Sequence, residues 1–226
     1  MPTPFDQGRY QVRLEWGVSG LARLALADIV VVVDVLRFSS TVAAALAVGD
    51  SYPLDEAAHA ISLNGAAVVR AAATAPTTAS GANPTPARVV VLGCLRNAPA
   101  VARFAVEEQA RRGGRTSIAI IAAGERTDAE STAPRFAVED LLGAGAIIDA
   151  LGGVGIDHTS PEAAAAAEAF RGLRGAVRHL LTASGSGQEL IERDARDDVL
   201  AAAAIGDLDV VPVLDSAGVR FEASRA

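Results

Sequence analysis

Seven residues, IVVVVDV at 29–35, constrain this chain more than any other stretch. An isoleucine and four valines in a row are β-branched and apolar on every side, so a strand built from them must be covered on both faces. A strand with one wet face would carry a polar residue at every second position. The run therefore predicts a strand inside a mainly parallel sheet. Comparable runs follow, ARVVVLG at 87–93 and TSIAIIAAG at 116–124. Each is succeeded by an alanine-rich helical stretch: SSTVAAALAVG, NAPAVARFAVEEQARRGG and AVEDLLGAGAIIDALGG. This alternation predicts an α/β fold of three layers, with helices on both faces of a mainly parallel or mixed sheet.

Other segments fill in the plan. QVRLEW near the start alternates and predicts an edge strand, while 161–181 and 187–205 read as two more helical stretches. DVVPVL and GVRFEA predict a closing strand pair around the turn DSAG. ATAPTTASGANPTPA has no hydrophobic period and predicts an exposed loop at about 73–87. Strand and helix alternate again directly after it, so residues 1–226 are expected to form a single domain.

Composition removes several classes. A net charge of -7 and a pI near 5.0, with scattered arginines, argue against nucleic acid as a partner. The single cysteine, Cys94, rules out an internal disulfide framework and a cysteine-rich zinc site, and a reducing cytoplasm is expected. MPTPFDQGRYQVRLEWG shows no basic segment leading into an apolar one, and no later segment offers eighteen uninterrupted apolar residues, so no membrane partner is expected. An apolar, alanine-rich surface would suit a homodimer.

In a parallel sheet the carboxyl ends of the strands share one edge, where ligands bind. The polar insertions fall there. Asp34 ends the valine strand, Arg37 follows, and Ser39, Ser40 and Thr41 open the next helix, whose free N–H groups favour an anion. Arg96 and Asn97 follow VVVLGC, and Glu125 follows SIAIIAAG, with Glu139 and Asp140 beyond it in a helix. Guanidinium groups and helix N-termini suit an oxyanion, and clustered carboxylates suit a hard cation. Each residue also has a plainer reading. Asp34 and Ser39 fit a turn and a helix cap, Arg37 fits a pair with Asp34, and adjacent helical acids point about a hundred degrees apart, so at most one of Glu139 and Asp140 is expected as a direct ligand. Recurrence at three strand exits favours function.

SGSGQELIERDARDDV, 184–199, is read in two ways. Ser186 and Glu189 have capping-box spacing, and Asp197 and Asp198 suit the first turn of the last helix. Alternatively the turn around Gly185 and Gly187 forms an anion nest with Ser186 facing the substrate. Other mechanisms lack their residues. Cys94 has no arginine six positions on, Asp34 is followed two positions later by Leu36, and no Gly-Lys-Ser/Thr loop exists. Cys94 is expected as a small buried residue, and His59, His158 and His179 as structural or exposed ones.

In order, VVVVDVLRFSSTVAAALAVG, GCLRNAPAVA, IAAGE, AVEDLLGAGAIIDAL, SGSGQELIE and DDVLAAAAIGDLDVVPVL resemble the successive motifs of the 2-phosphosulfolactate phosphatase family, over about residues 10–222. The resemblance implies a Mg²⁺-dependent phosphohydrolase that converts 2-phosphosulfolactate to sulfolactate and phosphate on the route to coenzyme M. For such a reaction, residue type makes Asp34, Glu139 and Asp140 the candidate catalytic residues, holding Mg²⁺ directly or through water, with Asp197 or Asp198 near the metal. Arg37 and Arg96 would clamp oxyanions, and Asn97 would orient substrate or water. SLNGAA at 62–67 is the nearest match to the family's Asn-Gly motif, which brings in Asn64 but replaces the terminal hydroxyl by Ala66. The segment before it is shorter than the family's, and Asp194 and Ala195 stand where Gly-Phe is common. These departures leave a second reading open, a catalytically silent member that binds an anionic metabolite or a protein partner.

Overall fold

The computed structural model describes residues 3–55, 64–75, 87–125 and 134–224. The valine run forms β2 (Ile29–Val33), and all five of its residues are buried. The other strands are β1 (Val12–Trp16), β3 (Tyr52–Pro53), β4 (Val89–Gly93), β5 (Ile118–Ala122), β6 (Val211–Leu214) and β7 (Arg220–Ser224). They make one sheet of order β1-β5-β2-β4-β6-β7-β3. The first four in that order run parallel. From β4 onward each pairing is antiparallel, so the sheet is mixed, with its long parallel strands on one side. QVRLEW supplies the edge strand, and the hairpin around DSAG supplies β6 and β7.

Helices cover both faces. On one lie α1 (Gly17–Arg23), α2 (Phe38–Ala47) and α3 (Gly65–Thr74). The other carries α4 (Ala98–Arg112), α5 (Val138–Gly153), α6 (Pro161–Leu173), α7 (Val177–Ala183), α8 (Gly185–Glu192) and α9 (Arg196–Ala202). β2 feeds both cores in alternation, Val31 and Val33 to the second face and Val30 and Val32 to the first. Each fully buried valine contributes about 1.5–3 kcal/mol of transfer free energy.

Two glycines let α5 lie directly on the sheet. A Cβ on Gly93 would come within 2.5 Å of Ile147 Cδ1, and one on Gly143 within 2.5 Å of Val35 Cγ2. That seating brings the first turn of α5, with Glu139 and Asp140, to the exits of the parallel strands.

The expected helices at 161–181 and 187–205 are corrected to shorter pieces. A 3₁₀ turn, Arg174–Ala176, separates α6 from α7. Ser184 caps α8 by accepting the Gly187 N–H at 3.1 Å, and Asp194, at φ 59°, turns the chain before α9. Of the loop expected at about 73–87, Ala73 and Thr74 instead complete α3. Residues 76–86 of that expectation, and His59, lie outside the described residues.

Candidate active site

Asp34 directly follows β2 and is 4% exposed. Its Oδ1 accepts the Phe38 N–H at 3.2 Å and its Oδ2 the Gly65 N–H at 3.0 Å. Only glycine permits the second bond, since a Cβ on Gly65 would lie 2.5 Å from Asp34 Oδ2. The two serines beyond it hold the turn. Ser39 Oγ accepts the Asp34 N–H and donates to the Val32 carbonyl, and Ser40 Oγ donates to the Val35 carbonyl at 2.8 Å.

Asp140 and Glu139 enter from the first turn of α5, both buried. Asp140 accepts the Val35 N–H at 2.7 Å and the Gly124 N–H at 2.9 Å, tying α5 to the exits of β2 and β5. Burial, and then the charges of Asp34 and Glu139, push its carboxyl well above the ordinary range, and the two N–H bonds only partly offset this. Glu139 Oε1 accepts from the Ser186 hydroxyl. Ser186 Oγ also lies 2.9 Å from Glu125 Oε2, and Glu125 Oε1 accepts from Asn64 Nδ2 at 3.1 Å. Adjacency on the helix therefore sends the two acids to different partners, one to backbone and one to the serine.

Asp34, Glu125, Glu139 and Asp140 thus form one acidic site at the carboxyl edge of the parallel strands, linked through Asn64, Gly65 and Ser186. A hydroxyl has one proton, so Ser186 cannot donate to both glutamates at once, and a cation between them would compensate the second carboxylate. Glu125, which the sequence places at a strand exit among the carboxylates suited to a cation but not among the named catalytic or metal residues, joins them here through Ser186 and Asn64. The capping-box reading of Ser186 is corrected, since Ser184 is the cap and Ser186 faces the carboxylates.

Other candidates are engaged elsewhere. Arg37 pairs with Asp198 of α9 rather than with Asp34. Arg96 makes a two-pronged ion pair with Asp207, at 3.0 and 2.7 Å. Asn97 is fully buried, accepting the Cys94 N–H at 2.9 Å and donating to the Leu92 and Val210 carbonyls, so its amide locks the turn between β4 and α4. Asp197 is exposed in the first turn of α9. Cys94 is buried, and burial raises its thiol pKa. Among the described residues, His158 lies against Tyr10 and Arg115, and His179 is exposed.

Among the described residues, no group of three or more His, Cys, Asp or Glu is placed to hold a metal ion. Asp34 and Asp140 each accept two backbone N–H bonds and Glu125 accepts from Asn64 and Ser186, while Glu125 and Glu139 set hard oxygens on either side of Ser186. A pair of carboxylates fits Mg²⁺, which keeps several waters and takes one or two carboxylates together with substrate oxygens.

Fold and site define a mixed-sheet α/β protein with a carboxylate-rich centre where its parallel strands end. The family model described as 2-phosphosulpholactate phosphatase matches residues 53–217, and the chain belongs to that family. It is 35% identical over 125 residues to a probable 2-phosphosulfolactate phosphatase of Symbiobacterium thermophilum, covering 55% of this chain and 48% of that protein. To a probable 2-phosphosulfolactate phosphatase of Gloeobacter violaceus it is 36% identical over 84 residues, covering 37% of this chain and 34% of that protein. The chain thus spans about half or less of the length of these relatives. Among the described residues no helix is long and apolar enough to cross a membrane.

Proposed function

We propose that this chain hydrolyses the phosphate ester of a small phosphorylated hydroxy acid, with 2-phosphosulfolactate as the first candidate and sulfolactate and phosphate as products. The observation that carries the reading is the linked site of Asp34, Glu125, Glu139 and Asp140 at the strand exits, in a chain of this family. The names of the two relatives support the substrate, and sulfolactate would then feed coenzyme M synthesis as the sequence resemblance implies.

Glu125 and Glu139 would hold Mg²⁺, which supplies charge neutralisation at the phosphoryl oxygens when bound. The protein's own groups do the rest. Asp34 and Asp140, anchored by N–H groups of Phe38, Gly65, Val35 and Gly124, fix the two strand exits against α5 and keep the site rigid. Water adds to phosphorus as the ester P–O bond breaks, one water proton must leave, and the departing alkoxide must gain one. The Glu125–Ser186–Glu139 chain gives that proton a place to be taken up and returned.

A second reading, binding without turnover, is favoured by the engagement of Arg37 and Arg96 with Asp198 and Asp207. Phosphate release from 2-phosphosulfolactate and a panel of phosphorylated hydroxy acids, with Mg²⁺ or with EDTA, separates the two. The phosphatase reading expects metal-dependent release that falls at least about a hundredfold in Glu125→Gln, the loss typical of a disrupted acid–base or electrostatic group. No release by the folded protein from any ester would leave the binding reading.

A further inference from the structure

Four carboxylates attract a cation but repel the anion a phosphatase must bind, so the site needs a basic group of its own. Arg37 and Arg96 are spent on Asp198 and Asp207. Arg135 is not. Its backbone forms an antiparallel bridge with Glu125, the Glu125 N–H donating to the Arg135 carbonyl at 2.9 Å and the Arg135 N–H to the Glu125 carbonyl at 2.6 Å. The bridge sets Arg135 beside the residue whose carboxylate meets Asn64 and Ser186. The guanidinium reaches over the start of α8, where a Cβ on Gly185 would lie 3.4 Å from Nη1, one residue before Ser186. Residue 135 is exposed, and its guanidinium makes no hydrogen bond or ion pair with the described residues.

The segment that carries it is braced on both sides. Pro134 packs so closely on Gly17 and Gly124 that a Cβ on either would come within 2.8 and 2.7 Å of it. Phe136 packs against Trp16 at a tilt of 45°, with ring centroids 5.3 Å apart. The backbone that carries Arg135 is fixed in this way, and the planar fork of its guanidinium can grip two oxygens of one phosphoryl group, which a lysine cannot.

We propose that Arg135 is the substrate-binding cation of this site, taking an oxyanion of the substrate, its phosphoryl group first, beside Ser186. The proposal deepens the phosphatase reading and rests on it for the identity of the substrate, but not for anion binding. Trp16, the sole tryptophan of the chain, reports on the neighbouring segment through its contact with Phe136. Inorganic phosphate is therefore titrated in the presence of Mg²⁺, by Trp16 fluorescence and by calorimetry, into the wild type, Arg135→Gln and Arg135→Lys. Phosphate should bind about ten- to a hundredfold more weakly to Arg135→Gln, with partial recovery in Arg135→Lys and unchanged thermal stability, as expected for loss of a charge-assisted pair from an exposed residue. In turnover the same variant should raise KM by a similar factor and change kcat less.

Wild-type phosphate affinity in Arg135→Gln overturns the proposal, and so does a wild type that binds no phosphate. Phosphate binding through Arg135 in a protein that hydrolyses no ester would sink the phosphatase reading and leave this inference standing. Hydrolysis with an unaltered KM in Arg135→Gln would do the reverse.

Discussion

Ser186 meets two carboxylates with one proton, and this makes Glu139 costly to the resting protein. Glu139 is 3% exposed and adjoins Asp140, whose carboxyl its charge helps push upward. Replacing it by glutamine keeps a group that can bond Ser186 and removes one buried negative charge from the cluster. In EDTA, Glu139→Gln should therefore raise Tm by about 2–4 °C, the equivalent of about 1 kcal/mol for a chain of this size, while phosphate release measured with Mg²⁺ falls at least about a hundredfold. A scanning-calorimetry Tm that drops by several degrees would show that the charge is compensated in the fold. The residues brought into the site from sequence were those whose partners lie at neighbouring strand exits, Asp34, Glu139 and Asp140, together with Asn64 and Ser186 from motif matches. The fate of Arg37 and Arg96 was not legible. Their acidic partners lie 161 and 111 residues away, and nothing local to either arginine announces them.

The helix α4 shows how an element is fastened at its far end. Glu108 is buried on its inner side and accepts from Arg111 at 2.8 and 2.6 Å and from Arg112 at 2.6 Å. Arg112 reaches on to Asp28 and the Ala87 carbonyl, which ties the C-terminal turn of α4 to the entries of β2 and β4. Burial pushes the Glu108 carboxyl up, but its bonds to the two arginines outweigh that and hold it below the usual range. A depressed carboxylate stabilises the fold above its unfolded pKa of about 4.5 and loses that contribution as pH falls through the folded value. Glu108→Gln should cost about 1–3 kcal/mol at neutral pH, read as a lower Tm, and the gap to wild type should close as pH drops below about 4.5. A gap that stays constant down to pH 3 would mean that packing, not charge, is what the variant removes. At this scale the strands were legible because β-branched runs leave few alternatives. The stretch from 161 to 205 was not, because alanine supports helix anywhere along it. Its breaks are set by tertiary contacts, such as the approach of Gly187 to the Leu181 carbonyl, where a Cβ would stand at 1.9 Å.

Across the whole molecule, β2 is the shared wall of two cores, and this decides how the chain should come apart. Val31 faces the layer of α4 to α9, and Val32 the layer of α1 to α3, and both are buried at the centre of the same strand. Neither layer can lose its helices without exposing one side of a strand that the other still needs covered. The site depends on the same wall, because Asp34 leaves β2 with Gly65 of one layer on its carboxylate while Val35, next along, binds Asp140 of the other. Val31→Ala and Val32→Ala should therefore each cost about 1.5–3 kcal/mol and lower one common transition rather than splitting it. For a chain of this length that is a drop in Tm of several degrees, with calorimetric and van't Hoff enthalpies in agreement. The expectation of a single domain over 1–226 stands or falls on the same trace. Two transitions, one moved by Val31→Ala and the other by Val32→Ala, would show that the layers fold separately and that the acidic site forms only where they meet.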